Sequence, residues 1–449
     1  MELARSPASL PAMDTEATLP SLLGRRLDRL RQAAGDGPAA SAQLRRPLPP
    51  TNRAAALAAD LGGSVRQASD GALVVVESVV ELPLEVGRLL GLPFAPPAGA
   101  PLVCLDLETT GLGTGTGTLP FLVGIGTWQG SRLTVRQFVL PDHADERAFL
   151  AEVSAEVPSD ACLVTYNGKS FDWPLLTTRF RLHRRAPPLP CAHLDLLPVA
   201  RQLWRHRLEN ARLATVERGI GAVEREHDLP GALIPERYFA YLRQRRGALL
   251  REVLEHNRQD IVSLGLLLQV LAGQMSPVAD RRAAQPGDLA GLARAYARRG
   301  RHEEALSCLE AALGSHHWRD GVTNGAAVHR RLCVERAFTL ARLGRRTEAL
   351  HAWQELAQRG GPGAALAWLR IAAHREHRQG DFDGALDACQ HAADICSRAR
   401  LWGRPLHAAE RDLAHRSARL RRRARSARFR SAAAARTEMV RREVLPATA

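Results

Sequence analysis

The sequence predicts an α/β domain followed by an all-helical one. Three observations carry this. Between residues 102 and 275, β-branched and apolar runs alternate with helical patterns. After Pro277 the strand signals vanish and only helical periodicity remains. In that second half, similar Gly and Ala spacings recur around Gly300, Gly344 and Gly380, the mark of a repeated helical unit.

At 449 residues the chain has room for two or three domains, and 45% hydrophobic content excludes a disordered chain. Lys plus Arg total 62 against 47 Asp plus Glu, a formal charge of +15 that suits a polyanionic partner such as nucleic acid. Lys169 is the only lysine, so the basic charge is almost all Arg, a bias that coding composition alone can also produce. The seven cysteines (104, 162, 191, 308, 333, 389 and 396) are scattered without a CxxC pair and read as reduced, mostly buried thiols of a cytoplasmic protein. The N-terminus lacks a basic stretch followed by an apolar core, and the apolar run 263–275 is too short to span a bilayer, so a soluble chain without a membrane contact is expected.

In chain order, residues 1–50 are rich in Ala, Pro and Arg and read as largely mobile, with one short amphipathic helix from Leu19 to Ala33. "GALVVVESVVELPL" (71–84) is a β-branched run, a small strand pair leading into the next domain. The Pro/Ala segment 93–101 reads as a linker. Strands follow at 102–108, 121–129 and 132–140, a helix at 145–157 and a strand at 162–167, so a mixed sheet covered by helices is expected. The boundaries drawn are an N-terminal extension (1–97), the α/β domain (98–276), helical repeats (286–400) and an Arg-rich tail (401–449).

The chemistry starts at "VCLDLETTGLGTGTGTLP" (103–120). Asp106 and Glu108 are two apart on a strand and therefore share a face. Two carboxylates held together repel unless a proton or a cation intervenes, and hard oxygen ligands suit Mg²⁺ or Mn²⁺ better than zinc. A phosphate-binding loop fails on residues: "GLGTGTGT" has no Lys, and Thr116 stands where GxGxxG needs glycine. The Gly/Thr run is read as a mobile loop with its tip near substrate. Further on, Asp172 follows a second strand and precedes an apolar helix, and His256 and Asp260 lie four apart on one helical face. Taken singly, Asp172 suits a helix N-cap and the His256/Asp260 pair an exposed helix contact.

The order and flanks of these acids resemble the DEDD exonucleases of the ribonuclease H-like superfamily. "DLETTGL" is similar to their first motif, "NGKSFDWPLL" (167–176) to the second and "HNRQDIVSL" (256–264) to the third. Residues 102–275 as a whole, including "ENARLATVERGIGAVEREHDLPGALIPERYFAYLR" (209–243), resemble the bacterial YprB-type subgroup, in which such a domain precedes tetratricopeptide repeats. The resemblance implies a ribonuclease H-like fold and two divalent ions, Mg²⁺ or Mn²⁺, roughly 3.5 to 4 Å apart. It implies Asp106, Glu108, Asp172 and Asp260 as their ligands, with His256 as general base of a phosphodiester hydrolysis. One detail departs from the commoner patterns. A catalytic His usually sits five residues before the last Asp, where this chain has Glu255; His256 occupies the position of the tyrosine in the alternative subgroup, as a base in that geometry or as a group that orders water. Thr109, Thr110, Tyr166, Asn167 and Lys169 are candidate substrate contacts, and Asp195 in "HLDLLPVAR" is assigned a structural role.

"LAGLARAYARRGRHEEALSCLEAAL" (289–313) resembles a tetratricopeptide repeat, with Tyr296, Gly300, Ala305 and Ala312 at its small and aromatic positions. The spacing recurs at Gly344 with Ala349 and at Gly380 with Ala385. Such stacked pairs often bind a peptide or protein on their concave face; a plain helical bundle is the competing reading. Residues 411–442 hold 12 Arg against Asp412 and Glu438, which suits contact with nucleic-acid phosphates or a merely solvated terminus. The function expected is a 3′-to-5′ exonuclease on single-stranded or frayed DNA or RNA. A nucleic-acid-binding scaffold and a structure-selective endonuclease stand as alternatives.

Overall fold

The computed structural model describes residues 50–111, 113, 115–221, 225, 229–277, 279, 281, 284–315 and 325–444. The helix expected at 19–33 and most of the loop 314–326 lie outside the described residues. Among these residues seven strands form one sheet: β1 (Ser64–Ala68), β2 (Gly71–Glu81), β3 (Leu102–Thr109), β4 (Pro120–Gln129), β5 (Arg132–Val139), β6 (Cys162–Thr165) and β7 (Ala192–Asp195). Their order is β1-β2-β5-β4-β3-β6-β7. The pairs from β1 to β3 are antiparallel, while β3 with β6 and β6 with β7 are parallel.

The structure differs from the expected lead-in and linker. Val74 pairs with Val139 and Glu81 with Arg132, so β2 belongs to the same sheet as the strands after residue 102. The Pro/Ala segment 93–101 therefore connects two strands of one sheet. The alternation of buried and exposed residues that marks β2 as a strand says nothing about which sheet it joins; its neighbour β5 lies some sixty residues further on, roughly the span over which local patterning is silent.

Both faces of the sheet are covered. On one, α1 (Pro50–Leu61), α3 (Glu146–Ala155), α4 (Asp172–Leu182) and α7 (Ile234–Gln244) bring Leu57, Phe149, Phe180 and Tyr238 onto Val103, Leu105, Phe121 and Ile125. On the other, α5 (Leu196–Trp204) and the long α8 (Arg251–Val270) lay Leu203, Ile261, Leu264 and Leu268 on Cys104, Leu133 and Val135. Short helices α2 (Val86–Leu89) and α6 (Leu213–Ile220) complete this part. Odd-numbered residues of β3 thus face one layer and even-numbered residues the layer of α8, as a period of two requires.

Among the described residues the second half is all-helical and includes three helical hairpins: α9 (Pro286–Arg298) with α10 (His302–Leu313), α11 (Gly325–Arg342) with α12 (Arg346–Arg359), and α13 (Pro362–His374) with α14 (Phe382–Leu401). Gly300, Gly344 and Gly380 turn the chain within each hairpin at φ of 74, 76 and 67°, the left-handed region that a residue with a Cβ avoids. The core does not stop at Pro277: Leu289, Leu292 and Tyr296 of α9 join the layer of α5 and α8. Arg207, just beyond α5, grips the enclosed carboxylate of Asp288 with Nε at 3.1 Å and an Nη at 2.9 Å. The Arg-rich tail is helical as α15 (His407–Val444). The cysteines are free thiols, of which Cys191 is exposed and Cys333 half-buried. Among the described residues no helix is long and apolar enough to cross a membrane.

Candidate active site

β3 places Asp106 and Glu108 on its α8 face, at the end where the strand leaves the core. Opposite Asp106 in the β3/β4 register stands Gly124. A Cβ there would lie 2.3 Å from Oδ1 of Asn257, so the bare glycine leaves room for a polar side chain from α8 to reach through to β3. Asn257 is fully buried and donates from Nδ2 to Asp106 Oδ2 at 2.8 Å. Its Oδ1 accepts from Gln137 Nε2 of β5 at 2.9 Å, and Gln137 also donates to the Leu254 carbonyl at 2.7 Å. A network from β5 through α8 thereby fixes the orientation of Asp106.

One residue earlier on α8, His256 points its Nε2 between two acids, 3.8 Å from Glu108 Oε1 and 3.8 Å from Asp260 Oδ2. Asp172 arrives from the other side. It is the first residue of α4, one position inside the N-cap Phe171, and is buried. The turn before it is clamped by Asp195: the backbone N–H groups of Asn167 and Lys169 donate to its two carboxylate oxygens at 2.8 and 3.1 Å, and that of Leu197 donates at 3.0 Å. Asp195 therefore caps α5 and holds the turn that presents Asp172, which is why Asn167 adopts φ of 68° without a glycine. Since β3 and β6 run parallel, Asp106, Glu108 and Asp172 meet at the carboxyl ends of neighbouring strands.

The acids repel one another in a poorly solvated place. Burial pushes the Asp106 carboxyl well above the ordinary range, and Asp260, Glu108 and Asp172 push it further. Burial, then the charge of Asp195, raises Asp172 to about 7. Asp260 is also raised by burial, against the pull of His256 and Arg225. Among the described residues no three His, Cys, Asp or Glu side chains stand close enough together to enclose an ion as they are. The donor set nevertheless fits hard divalent cations: Asp106, raised by the charges of Glu108, Asp172 and Asp260, and the imidazole beside them want positive charge, and the four carboxylates offer oxygen. Part of that charge comes from Arg225, whose Nη2 donates to Asp260 Oδ1 and to the buried Glu217, each at 2.6 Å.

A pH dependence follows. Asp172 has a folded pKa of about 7 against roughly 3.9 unfolded, so between these values the folded chain holds the extra proton. In EDTA its contribution to stability is fully present near pH 4 and is lost as pH rises towards 7, a change on the order of a few kcal/mol. Thermal melts from pH 5 to 8 with and without Mn²⁺ are expected to diverge upward, the ion adding most stability at the alkaline end, where it displaces no proton.

The other expected contacts are engaged differently. Thr109 donates its hydroxyl to the Gly111 carbonyl at 2.7 Å, and Thr110 Oγ1 accepts from the Leu119 N–H at 3.0 Å, so both hydroxyls tie down the start and end of the Gly/Thr loop. That loop is further held by Arg179, which donates to the Thr116 carbonyl at 2.8 Å. The Tyr166 hydroxyl donates to the Ala211 carbonyl at 2.7 Å, while Asn167 and Lys169 stay exposed on the turn leading to Asp172. Sequence reasoning missed Asn257, Gln137, Gly124 and the Glu217/Arg225 pair. Asn257 sits inside the quoted third motif, beside His256, yet only the packing of α8 over Gly124 gives it a role.

Residues 103–272 match the family model described as the RNase_H superfamily. YprB of Bacillus subtilis (strain 168), named as an uncharacterized protein, is 44% identical over 165 residues, which cover 36% of this chain and 40% of that one. The chain thus matches about two-fifths of the length of this curated relative. With the sheet order above, residues 103–272 form a ribonuclease H-like domain, followed by an all-helical region.

Proposed function

We propose that the ribonuclease H-like domain makes this protein a metal-dependent nuclease, acting from 3′ to 5′ on single-stranded or frayed nucleic acid. The observation that carries the reading is that Asp106 lies within electrostatic reach of Glu108, Asp172 and Asp260, with His256 between Glu108 and Asp260, at the carboxyl ends of β3 and β6. Polarity and preference for an end come from the likeness of the three motifs to DEDD exonucleases.

When bound, divalent ions supply charge for the scissile phosphate and acidify the attacking water. Asp106, Glu108, Asp172 and Asp260 are the residues that would hold them. Asn257 keeps Asp106 turned towards the site, and Asp195 keeps Asp172 there. His256, flanked by two carboxylates, accepts the proton of the attacking water at Nε2. Asn167 and Lys169 are placed to meet the sugar and phosphate beyond the cut.

Degradation of 5′-labelled single-stranded DNA and RNA in Mn²⁺, Mg²⁺ or EDTA tests this. A metal-dependent ladder shortening from the 3′ end is the expected result; internal cuts would replace it with an endonuclease, and binding without cleavage would replace it with a scaffold. A second expectation concerns Arg225, which competes with metal for Asp260. The pair R225Q/E217Q removes the guanidinium together with its buried partner, which is milder than leaving either charge alone. It is expected to bind Mn²⁺ several-fold more tightly in a calorimetric titration, and an unchanged or weaker isotherm would make Arg225 a bystander.

A further inference from the structure

α15 has two unlike faces. Its inner face packs Leu420 and Ala424 against the last hairpin, and Arg416, Arg419 and Arg423 converge on the fully enclosed carboxylate of Glu376 at 3.3, 2.7 and 3.3 Å. Glu376, with Asp412 beside Arg416, offsets most of that charge where it stands, and the contacts latch the helix. The outer face is different. At about 100° per residue, Arg411, Arg421, Arg422, Arg425 and Arg436 fall within an arc of about 100°. All five are exposed, and none pairs with a carboxylate among the described residues. Between Arg411 and Arg436 no acid falls on this arc, and intervening positions such as Ala414, Ala418 and Ala432 are small enough to let a ligand backbone approach. Phe429 lies in the middle of the arc, 83% exposed.

We propose that this face of α15 is a docking rail for single-stranded nucleic acid, holding phosphates on its five outward arginines and a base on Phe429. The inference rests on the nucleic-acid reading above but concerns a surface outside the acidic site. An exposed aromatic ring between unpaired guanidinium groups is the pairing that strand-binding proteins use, because every base offers a face to stack. The rail runs about 38 Å from Arg411 to Arg436 at roughly 1.5 Å per residue. A duplex backbone winds once around in about 34 Å and leaves a straight rail, whereas a flexible strand can follow it throughout. A membrane surface is the poorer fit, since helices that lie in lipid need a broad apolar face and this arc offers one aromatic ring between its first and last arginine.

The test measures binding of a labelled oligothymidylate to the full chain in EDTA across a KCl series. Beside it stand a variant with all five outward arginines changed to Gln, a second with the same five changed to Lys, and Phe429→Ala. The Gln set is expected to reduce the slope of log affinity against log salt by about 3 to 4, at roughly 0.7 per phosphate contact, while the Lys set keeps the slope. Phe429→Ala is expected to weaken binding about tenfold at an unchanged slope. A Gln set with retained helix content and a slope within one of the parent overturns the proposal, as does loss of binding to anionic vesicles with oligonucleotide binding intact. A parent chain that binds no oligonucleotide at any salt overturns both this and the nuclease reading, whereas binding with cleavage absent in Mn²⁺ would sink only the latter.

Discussion

Asp106→Asn is expected to lower nucleic-acid cleavage by about 10³-fold or more while leaving the metal-free protein as stable as the parent or more so. The two effects have one cause. Asp106 is the acid on which the other three press, and burial together with their charge pushes its carboxyl well above its ordinary range in the absence of a cation. Asparagine keeps the shape and can still accept from Asn257 Nδ2, so the packing of α8 on β3 survives. What disappears is a carboxyl whose ionisation Glu108, Asp172 and Asp260 oppose in the metal-free protein and which would hold metal in the working one. A melting temperature in EDTA that is level or higher, with cleavage lost, would fit a site that trades stability for function. Parallel loss of both would mean that Asp106 is a structural residue.

Gly124→Ala is expected to be nearly as damaging although it changes no charged or hydrogen-bonding group. Its Cβ would lie 2.3 Å from Asn257 Oδ1 and 2.9 Å from Cγ, and Asn257 cannot step aside because Gln137 and Asp106 hold it from both ends. Either α8 lifts from the sheet or Asn257 abandons Asp106. Overpacking of this kind costs about 1–3 kcal/mol, and a displacement of about 1 Å at reacting groups costs on the order of 10²-fold in rate. Gly117→Ala, in the Gly/Thr loop, meets nothing within 4 Å and serves as the control that should change neither stability nor cleavage. Equal behaviour of the two variants would show that the Asn257 network does not orient the site.

These two residues show how far a linear reading reaches. Asp106 and Glu108 are legible because a strand repeats every two residues, so one face is known before the strand is placed. His256 and Asp260 are legible for the matching reason on a helix, and the turn glycines of the repeats because a left-handed conformation selects for them. Gly124, Gln137 and Asn257 are silent, since each matters only through a neighbour 120 to 151 residues away in the chain. The same distance hid the place of β2: its pairing with β5 is a choice of partner, and local pattern records only that an apolar, pleated surface is wanted.

Sequence by itself determined what most segments would be and which chemistry they could carry: strands β2 to β6, helices from Pro286 onward, four acids and an imidazole in the order of three motifs, and a basic tail; β1 and β7 were not foreseen. Tertiary structure alone decided what those parts would meet. It put β1 and β2 on the sheet of the acids, set Arg225 against Asp260, let Asp195 clamp the turn before Asp172, and turned three arginines of α15 onto Glu376 while five others along one arc face water. Periodicity and chemical type act over one or two turns and are written locally, whereas burial, charge pairing and steric room depend on which distant surfaces share the same space.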